Sequence, residues 1–388
     1  MSHLSKLGSY TLLFIASLTI MVGALVAPGL ISISNALGIN EYAVWLVTFP
    51  ALGAVIFAPL AGKSIDKFGA YRSLIFGLIL YGALGFAVYW LQGPWFVLSN
   101  RILLGGITAV VMASSTVLIS QWYVGNERLS MIAKQGMAIE LGGVLFLFLG
   151  GKLASLYWAY PLSLYLVAWL FLLMLLLFVP RKSPSLSDET QGNAPQAQQG
   201  LSLKQVYLFA TLAMVVFFTA IVQLPNSMAQ QGFNEAVVGN VLAFISLVAV
   251  VAAHFMPKVV RYMSTTYLLA VAFAAYALGH IVFANADGLP LLMVGSVFAG
   301  VGFGFSIPLL NHMTVEKSAA NVRGKNLSYF TMALFGGQFI TSFVEFIPGG
   351  VAASFYSSMI LASLVTLALV IMQYSNNKRI NQFTTGNT

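Results

Sequence analysis

Gly38-Ile39-Asn40-Glu41 recurs as Gly232-Phe233-Asn234-Glu235, an offset of 194 residues in a chain of 388. The same register returns Gly142-Gly143 as Gly336-Gly337 and sets Lys67 opposite Arg261. Several matches in one register argue for an internal duplication. Repeats of this size are a feature of chains that enclose a site near the middle of a membrane, and the remaining sequence fits that setting.

Hydrophobic residues make up 59% of the chain and charged residues 7%, against roughly 25% charged in a soluble domain. Apolar stretches of about 20 residues, each long enough to cross about 30 Å of hydrocarbon as a helix, recur along the whole length. Twelve fall near 10–32, 43–61, 73–91, 96–118, 129–151, 160–180, 205–227, 237–257, 266–286, 290–313, 326–347 and 351–373. The runs are continuous rather than alternating, which excludes a β-barrel. The expected fold is an all-α membrane protein of twelve transmembrane helices in two pseudo-symmetric six-helix bundles. The first stretch, behind Lys6, is longer than a signal-peptide core and has a counterpart after Lys204, so it reads as a retained helix. Without cysteine, no disulfide forms and the redox compartment is not inferable.

The net charge of +8 is explained by where the charges fall. With a cytoplasmic amino terminus, sixteen of the eighteen Lys and Arg lie on the cytoplasmic side. Lys152 lies at the outer face and Arg101 within a span. This is the positive-inside pattern. It places both termini inside a plasma (inner) membrane and gives no reason to expect nucleic acid as a partner. Residues 181–203, RKSPSLSDETQGNAPQAQQGLSL, are polar and Gln-rich. They read as a cytoplasmic linker between a bundle at 1–180 and a second at 204–388. The remaining loops leave no room for a soluble catalytic domain.

Between the second and third stretches stands Gly62-Lys63-Ser64-Ile65-Asp66-Lys67-Phe68-Gly69-Ala70-Tyr71-Arg72. Gly62-Lys63-Ser64 could end a phosphate-binding loop, but Phe57 occupies the place of its first glycine, so a nucleotide site is rejected. The segment resembles the signature loop of the major facilitator superfamily: a Gly, then Asp-Lys, a Gly and a closing basic residue. The resemblance implies that Gly62, Asp66, Lys67, Gly69 and Arg72 form a conformational latch, with Asp66 facing the positive end of a helix. The alternative is an ordinary basic turn. Pro257-Lys258-Val259-Val260-Arg261-Tyr262, its partner in the second half, keeps the basic residues and loses the Asp.

The fourth stretch carries Asn100-Arg101-Ile102-Leu103-Leu104-Gly105-Gly106, similar to the family motif in which an intramembrane Arg precedes a glycine by four residues. A charge inside a span is costly and usually functional. Arg101 is expected to contribute to proton coupling or gating, the alternative being that it only bonds carbonyls. In the fifth stretch Glu140 lies about 12 residues past Arg128, roughly 18 Å deep, the single acid near mid-span. Gly136, Glu140, Gly143 and Gly150 share a face by spacing, which suggests close helix packing around the carboxyl. Glu140 is the candidate proton carrier; permanent bonding to a neighbouring helix is the alternative. Gly142, Gly150 and Gly151 partly match the glycine-rich motif of drug–proton antiporters, but Phe146 and Leu147 replace its Gly-Pro pair.

His254, His280 and His312 read as structural, and no grouping has metal-ligand spacing, so no metal is expected. Gly300, Gly302, Gly304 and Pro308 make the tenth stretch bendable. Tyr10, Phe14, Phe217, Phe218, Tyr329 and Phe330 are candidate cavity-lining aromatics, while Trp45, Trp90, Trp95, Trp122 and Trp158 suit the membrane interfaces. Across the whole chain the resemblance is to a superfamily transporter, most like the twelve-helix drug and metabolite:proton antiporters. It implies a monomer in the lipid bilayer that exchanges protons for a small organic molecule, with no cofactor and no covalent chemistry. An uptake symporter, a siderophore exporter and a transport-dead receptor or scaffold remain open. No Ser/His/Asp or paired-carboxylate constellation supports a membrane enzyme.

Overall fold

The computed structural model describes residues 4–123, 125–181, 201–319 and 322–385. In chain order its helices are α1 (Lys6–Ala24), α2 (Leu30–Leu37), α3 (Trp45–Phe68), α4 (Ala70–Ala87), α5 (Pro94–Trp122), α6 (Gly125–Ala154) and α7 (Tyr160–Ser163). There follow α8 (Val167–Phe178), α9 (Leu203–Gln230), α10 (Glu235–Val259), α11 (Thr265–Ala284), α12 (Leu289–Glu316), α13 (Arg323–Ile340) and α14 (Gly350–Thr385). Among the described residues, twelve helical segments are long and apolar enough to cross a membrane; α7 and α8 share one of them, Tyr160–Phe178. Among the described residues there is no strand. Of the expected linker 181–203, residues 182–200 lie outside the described residues.

The repeated Gly-x-Asn-Glu has a backbone reason. Gly38 (φ 69°) and Gly232 (φ 82°) both take the left-handed conformation, which a residue without a Cβ adopts at little cost. Each ends the helical turn behind it. The Asn234 side chain then accepts from the Val237 amide at 3.0 Å and caps α10, with Glu235 in its first turn. The first half opens α3 differently, through a 3₁₀ turn at Asn40–Tyr42.

The glycine pairs at the repeat offset both press on the first helix of their half, though through different members, since nothing lies within 4 Å of a Cβ at Gly336, the counterpart of Gly142. A Cβ on Gly142 would lie 2.7 Å from the Ser17 Cβ, so α6 presses on α1. One on Gly337 would lie 2.8 Å from the Met214 Cβ and closer still to the Thr211 carbonyl, so α13 presses on α9. Ser17 and Thr211 are themselves 194 residues apart.

The first span departs from its expected extent of 10–32. It starts at Lys6, where the Ser5 hydroxyl accepts from the Gly8 amide at 3.0 Å, and stops at Ala24. Pro28 supplies no N–H and disfavours helix at the residue before it; Val26 N turns to the Gly23 carbonyl instead (3.2 Å). Packing groups the described residues into two compact units. One lies within Met1–Thr190 and Pro225–Ser246, the other within Gln191–Leu224 and Leu247–Thr388. The division therefore cuts α9 and α10 rather than falling at one linker.

Candidate functional site

Arg101 is fully buried on α5, and its bonds follow from two defects in neighbouring helices. Where α1 breaks, Val26 N bonds Gly23 O, which leaves the Val22 carbonyl without its i+4 donor. In α3, Pro50 lacks the N–H that would bond the Leu46 carbonyl. Arg101 answers both: Nε donates to Leu46 O at 2.8 Å, and Nη2 donates to Val22 O. Its Nη1 donates to the Tyr165 hydroxyl at 3.1 Å, which itself donates to Val22 O at 2.9 Å. The fork geometry of a guanidinium suits three acceptors in different directions. All three are neutral oxygens. Tyr81 adds a bond to Leu18 O at 2.7 Å, so α1 is held from α4, α5 and the turn before α8. Sequence reasoning missed both tyrosines.

Glu140 on α6 is half-buried and has no hydrogen-bond or ion-pair partner among the described residues; Arg101 does not reach it. The expected close packing on its own face is found at Gly150 and not at Gly136 or Gly143. Nothing approaches within 4 Å of a Cβ at Gly136, and a Cβ at Gly143 would make only ordinary contact, 3.6 Å from the Ile20 side chain. Gly150 of that face does pack closely, against the Leu25 carbonyl of the α1 break, and Gly142, one residue from Gly143, meets Ser17. Neighbouring glycines lie 100° apart on a helix, so spacing alone could not assign the contact to one of them.

Following Glu140 toward the end of α6, its face does become covered. A Cβ on Gly151 would sit 2.5 Å from the Glu235 carbonyl oxygen and 2.7 Å from the Gly239 Cα, at the start of α10. A Cβ at Gly143 would lie 3.8 Å from the Ser246 hydroxyl. The stripe is thus closed at Gly151 and open at Gly136.

The α3–α4 turn is built by Gly69 (φ 82°), whose amide bonds Ile65 O at 2.8 Å. Ser64 and Ser73 join its arms at 3.1 Å. Gly62, Asp66, Lys67 and Arg72 are exposed. Lys67 extends over the Phe68 ring at 5.2 Å, and no bond among the described residues joins Asp66 to a helix start.

The candidate aromatics do not form one group. Phe217, Phe218 and Phe330 are buried, and Phe217 packs on Phe303 at 4.2 Å inside the second unit. Tyr10, Phe14 and Tyr329 are exposed. Phe14 stacks on Phe171 of α8 at 5.8 Å, and Tyr329 lies under Lys325. His280, also buried, bonds the Val216 carbonyl at 2.9 Å. His312 pairs with Glu316 across one exposed turn at 3.1 Å. Among the described residues, no group of three His, Cys, Asp or Glu could hold a metal.

Residues 12–342 match the Major Facilitator Superfamily. The class B tetracycline resistance protein of Escherichia coli is 25% identical over 218 residues, 54% of this chain and 54% of that protein. The chain thus matches about half the length of this curated relative. A POT family transporter solved with a thioalcohol-conjugated peptide superposes with a TM-score of 0.76 at 14% identity, over 95% of this chain and 96% of that one. The E. coli xylose transporter in an inward-open conformation gives 0.72 at 15%, over 95% and 96%. A human organic anion transporter gives 0.66 at 18%, over 94% and 99%. At these identities the structural likeness is one of fold.

Proposed function

The chain belongs to the Major Facilitator Superfamily, and from that premise we propose that it exports a small organic molecule, a drug or metabolite, in exchange for protons. It is a multi-pass membrane transporter of that superfamily; coupling, direction and substrate are the proposal. Two bundles, 1–180 and 204–388, rock about a central cavity in a plasma membrane, with both termini cytoplasmic and the transporter acting as a monomer. The tetracycline resistance relative favours export.

Glu140 carries the coupling reading. It is the one acid near the middle of a span, and among the described residues it has no partner that would hold its proton permanently. A carboxyl on a half-open face can load and release a proton as access changes sides. Arg101 serves coupling indirectly, by fixing the α1 break on which Gly150 of the same α6 helix rests. Asp66 and its loop act as a latch that engages in another state of the cycle.

The test is transport into proteoliposomes under an imposed pH gradient, with a binding assay on the same protein. Glu140→Gln, permanently neutral, should abolish gradient-driven accumulation and spare binding. Undiminished accumulation would remove Glu140 from coupling. Flux measured in inside-out vesicles separates export from uptake.

A further inference from the structure

One face of α6 changes character along its length. Arg128, Gln135 and Gly142 follow one another at seven-residue steps, and a straight helix drifts only about 20° over each such step. The first two bond α5. Arg128 donates from Nε to the Tyr123 carbonyl at 2.9 Å and from Nη2 to the Ser120 carbonyl at 3.1 Å. The Gln135 amide nitrogen donates to the Thr116 hydroxyl at 3.0 Å and to the Ser115 hydroxyl at 3.4 Å. The third, Gly142, presses on Ser17 of α1 and brings no side chain to the contact.

Gln135 is the firmer of the two polar attachments. It is 5% exposed and follows Ser130, where the span begins, by five residues, about 7.5 Å along the helix. The Ser115 and Thr116 hydroxyls both donate to the Met112 carbonyl at 2.9 Å, which leaves their lone pairs to the incoming amide. Thr116 also lies 3.4 Å from the amide oxygen, a longer approach than its bond to Met112. Two N–H groups of one planar amide thus meet two acceptors on adjacent residues of α5. Such a pair constrains angle as well as distance. Inside a bilayer no water takes the place of a lost partner. Arg128, in the first turn, is only part-buried.

What these bonds fix is rotation. A glycine has no side chain to seat in a neighbour's groove, so Gly142 holds α6 close to α1 without setting how it is turned. Glu140 comes five residues after Gln135, about 7.5 Å along the axis and about 140° around it. A side chain stands about 5–6 Å from the axis, so a turn of roughly 20° carries the carboxyl about 2 Å. A working group has to be held within about 0.5 Å. We propose that Gln135 is a positioning residue for proton coupling. Its amide fixes the rotation of α6 and so the direction in which Glu140 faces, a role that rests on the reading of Glu140 as the proton carrier.

Two readouts on the full chain in lipid nanodiscs test this, and neither needs a transported substrate. Because the chain has no cysteine, spin labels at Met137→Cys on α6 and Phe76→Cys on α4, both exposed positions, report the turning of α6 as a distance distribution. Helix α4 also packs on α5, where a Cβ at Gly77 would lie 2.9 Å from the Val111 side chain. Gln135→Met and Thr116→Val should each widen the distribution by about 2 Å, and Thr116→Ser, which keeps the hydroxyl, should not. Dicyclohexylcarbodiimide, which attaches to protonated carboxyls in apolar surroundings, reads Glu140 itself by intact mass, with Glu140→Gln identifying its adduct. Gln135→Met and Thr116→Val should change the rate of that adduct about two- to tenfold, the range of one buried hydrogen bond. Tyr276→Phe loses a bond to Ser306 in the other unit; it controls for lost stability and should move neither readout. An unwidened distribution, an unaltered adduct rate, or equal effects from Tyr276→Phe would overturn the proposal. Undiminished gradient-driven accumulation by Glu140→Gln would remove the carrier, and the role in coupling with it, while both readouts still stood.

Discussion

Replacing Arg101 with Met keeps the unbranched stem of the side chain and removes every donor. The Leu46 carbonyl then has no partner, because Pro50 supplies none. Val22 O keeps the Tyr165 hydroxyl at 2.9 Å. An orphaned buried carbonyl costs about 1–3 kcal/mol, and within a bilayer water does not step in. Against this, the variant is spared the burial of a charge, which offsets part of the loss. The net expectation is a destabilisation of about 1–2 kcal/mol, a melting shift of a few degrees in a domain of this size. Thermal unfolding of the purified protein in detergent measures it, alongside Arg101→Lys, whose ammonium lacks the fork and should recover only part. Tyr165→Phe and the double variant complete a cycle that should show coupling, since the two side chains share Val22 O. An Arg101→Met protein as stable as the parent would refute the carbonyl-holding account. If it also lost gradient-driven transport, Arg101 would act on the proton directly.

Three further expectations concern the sites around it. Gly151→Val sets a Cβ 2.5 Å from the Glu235 carbonyl oxygen. Overpacking of about 1–3 kcal/mol should open the α6–α10 contact and shift its equilibrium roughly 5–150-fold. Because the chain has no cysteine, maleimide labelling of Ser246→Cys reports this cleanly; an unchanged rate would count against it. Asp66→Asn should leave stability unaltered, since no bond among the described residues is lost, yet slow turnover by removing a charge-to-dipole contact of about 0.3–1 kcal/mol made in another state. Normal turnover would leave the loop a plain turn. Protease should cut the 181–203 segment in inverted vesicles and spare it in intact cells; the reverse would overturn the topology.

What the sequence made legible was whatever depends on local backbone chemistry or bulk apolarity. Twelve spans follow from run length, and Gly38 and Gly232 repeat because a left-handed residue is needed at each. The depth of Arg101 was readable, but its partners were not. Those partners are carbonyls released by Pro50 and by the α1 break, and nothing in the chain order brings residues 22, 46, 101 and 165 together. The stripe of Gly136, Glu140 and Gly143 misled for a related reason. Periodicity assigns a face to a helix without saying which neighbour, if any, lies against it. Phe217 and Tyr329 look alike in sequence, yet one is sealed by Phe303 and the other is open.

The carbonyls of Val22 and Val216 occupy the same place in the two halves, and each receives a side chain from elsewhere in the fold. Their circumstances differ. Helix α1 stops two residues after Val22, whereas α9 runs unbroken past Val216 to Gln230. One oxygen depends wholly on its visitors, Arg101 and Tyr165; the other already has its helical amide, and His280 is a supplement. Duplication thus copied a position without copying its need. Losing Arg101 and Tyr165 together would orphan the Val22 oxygen, whereas losing His280 would leave the Val216 oxygen with its helical amide.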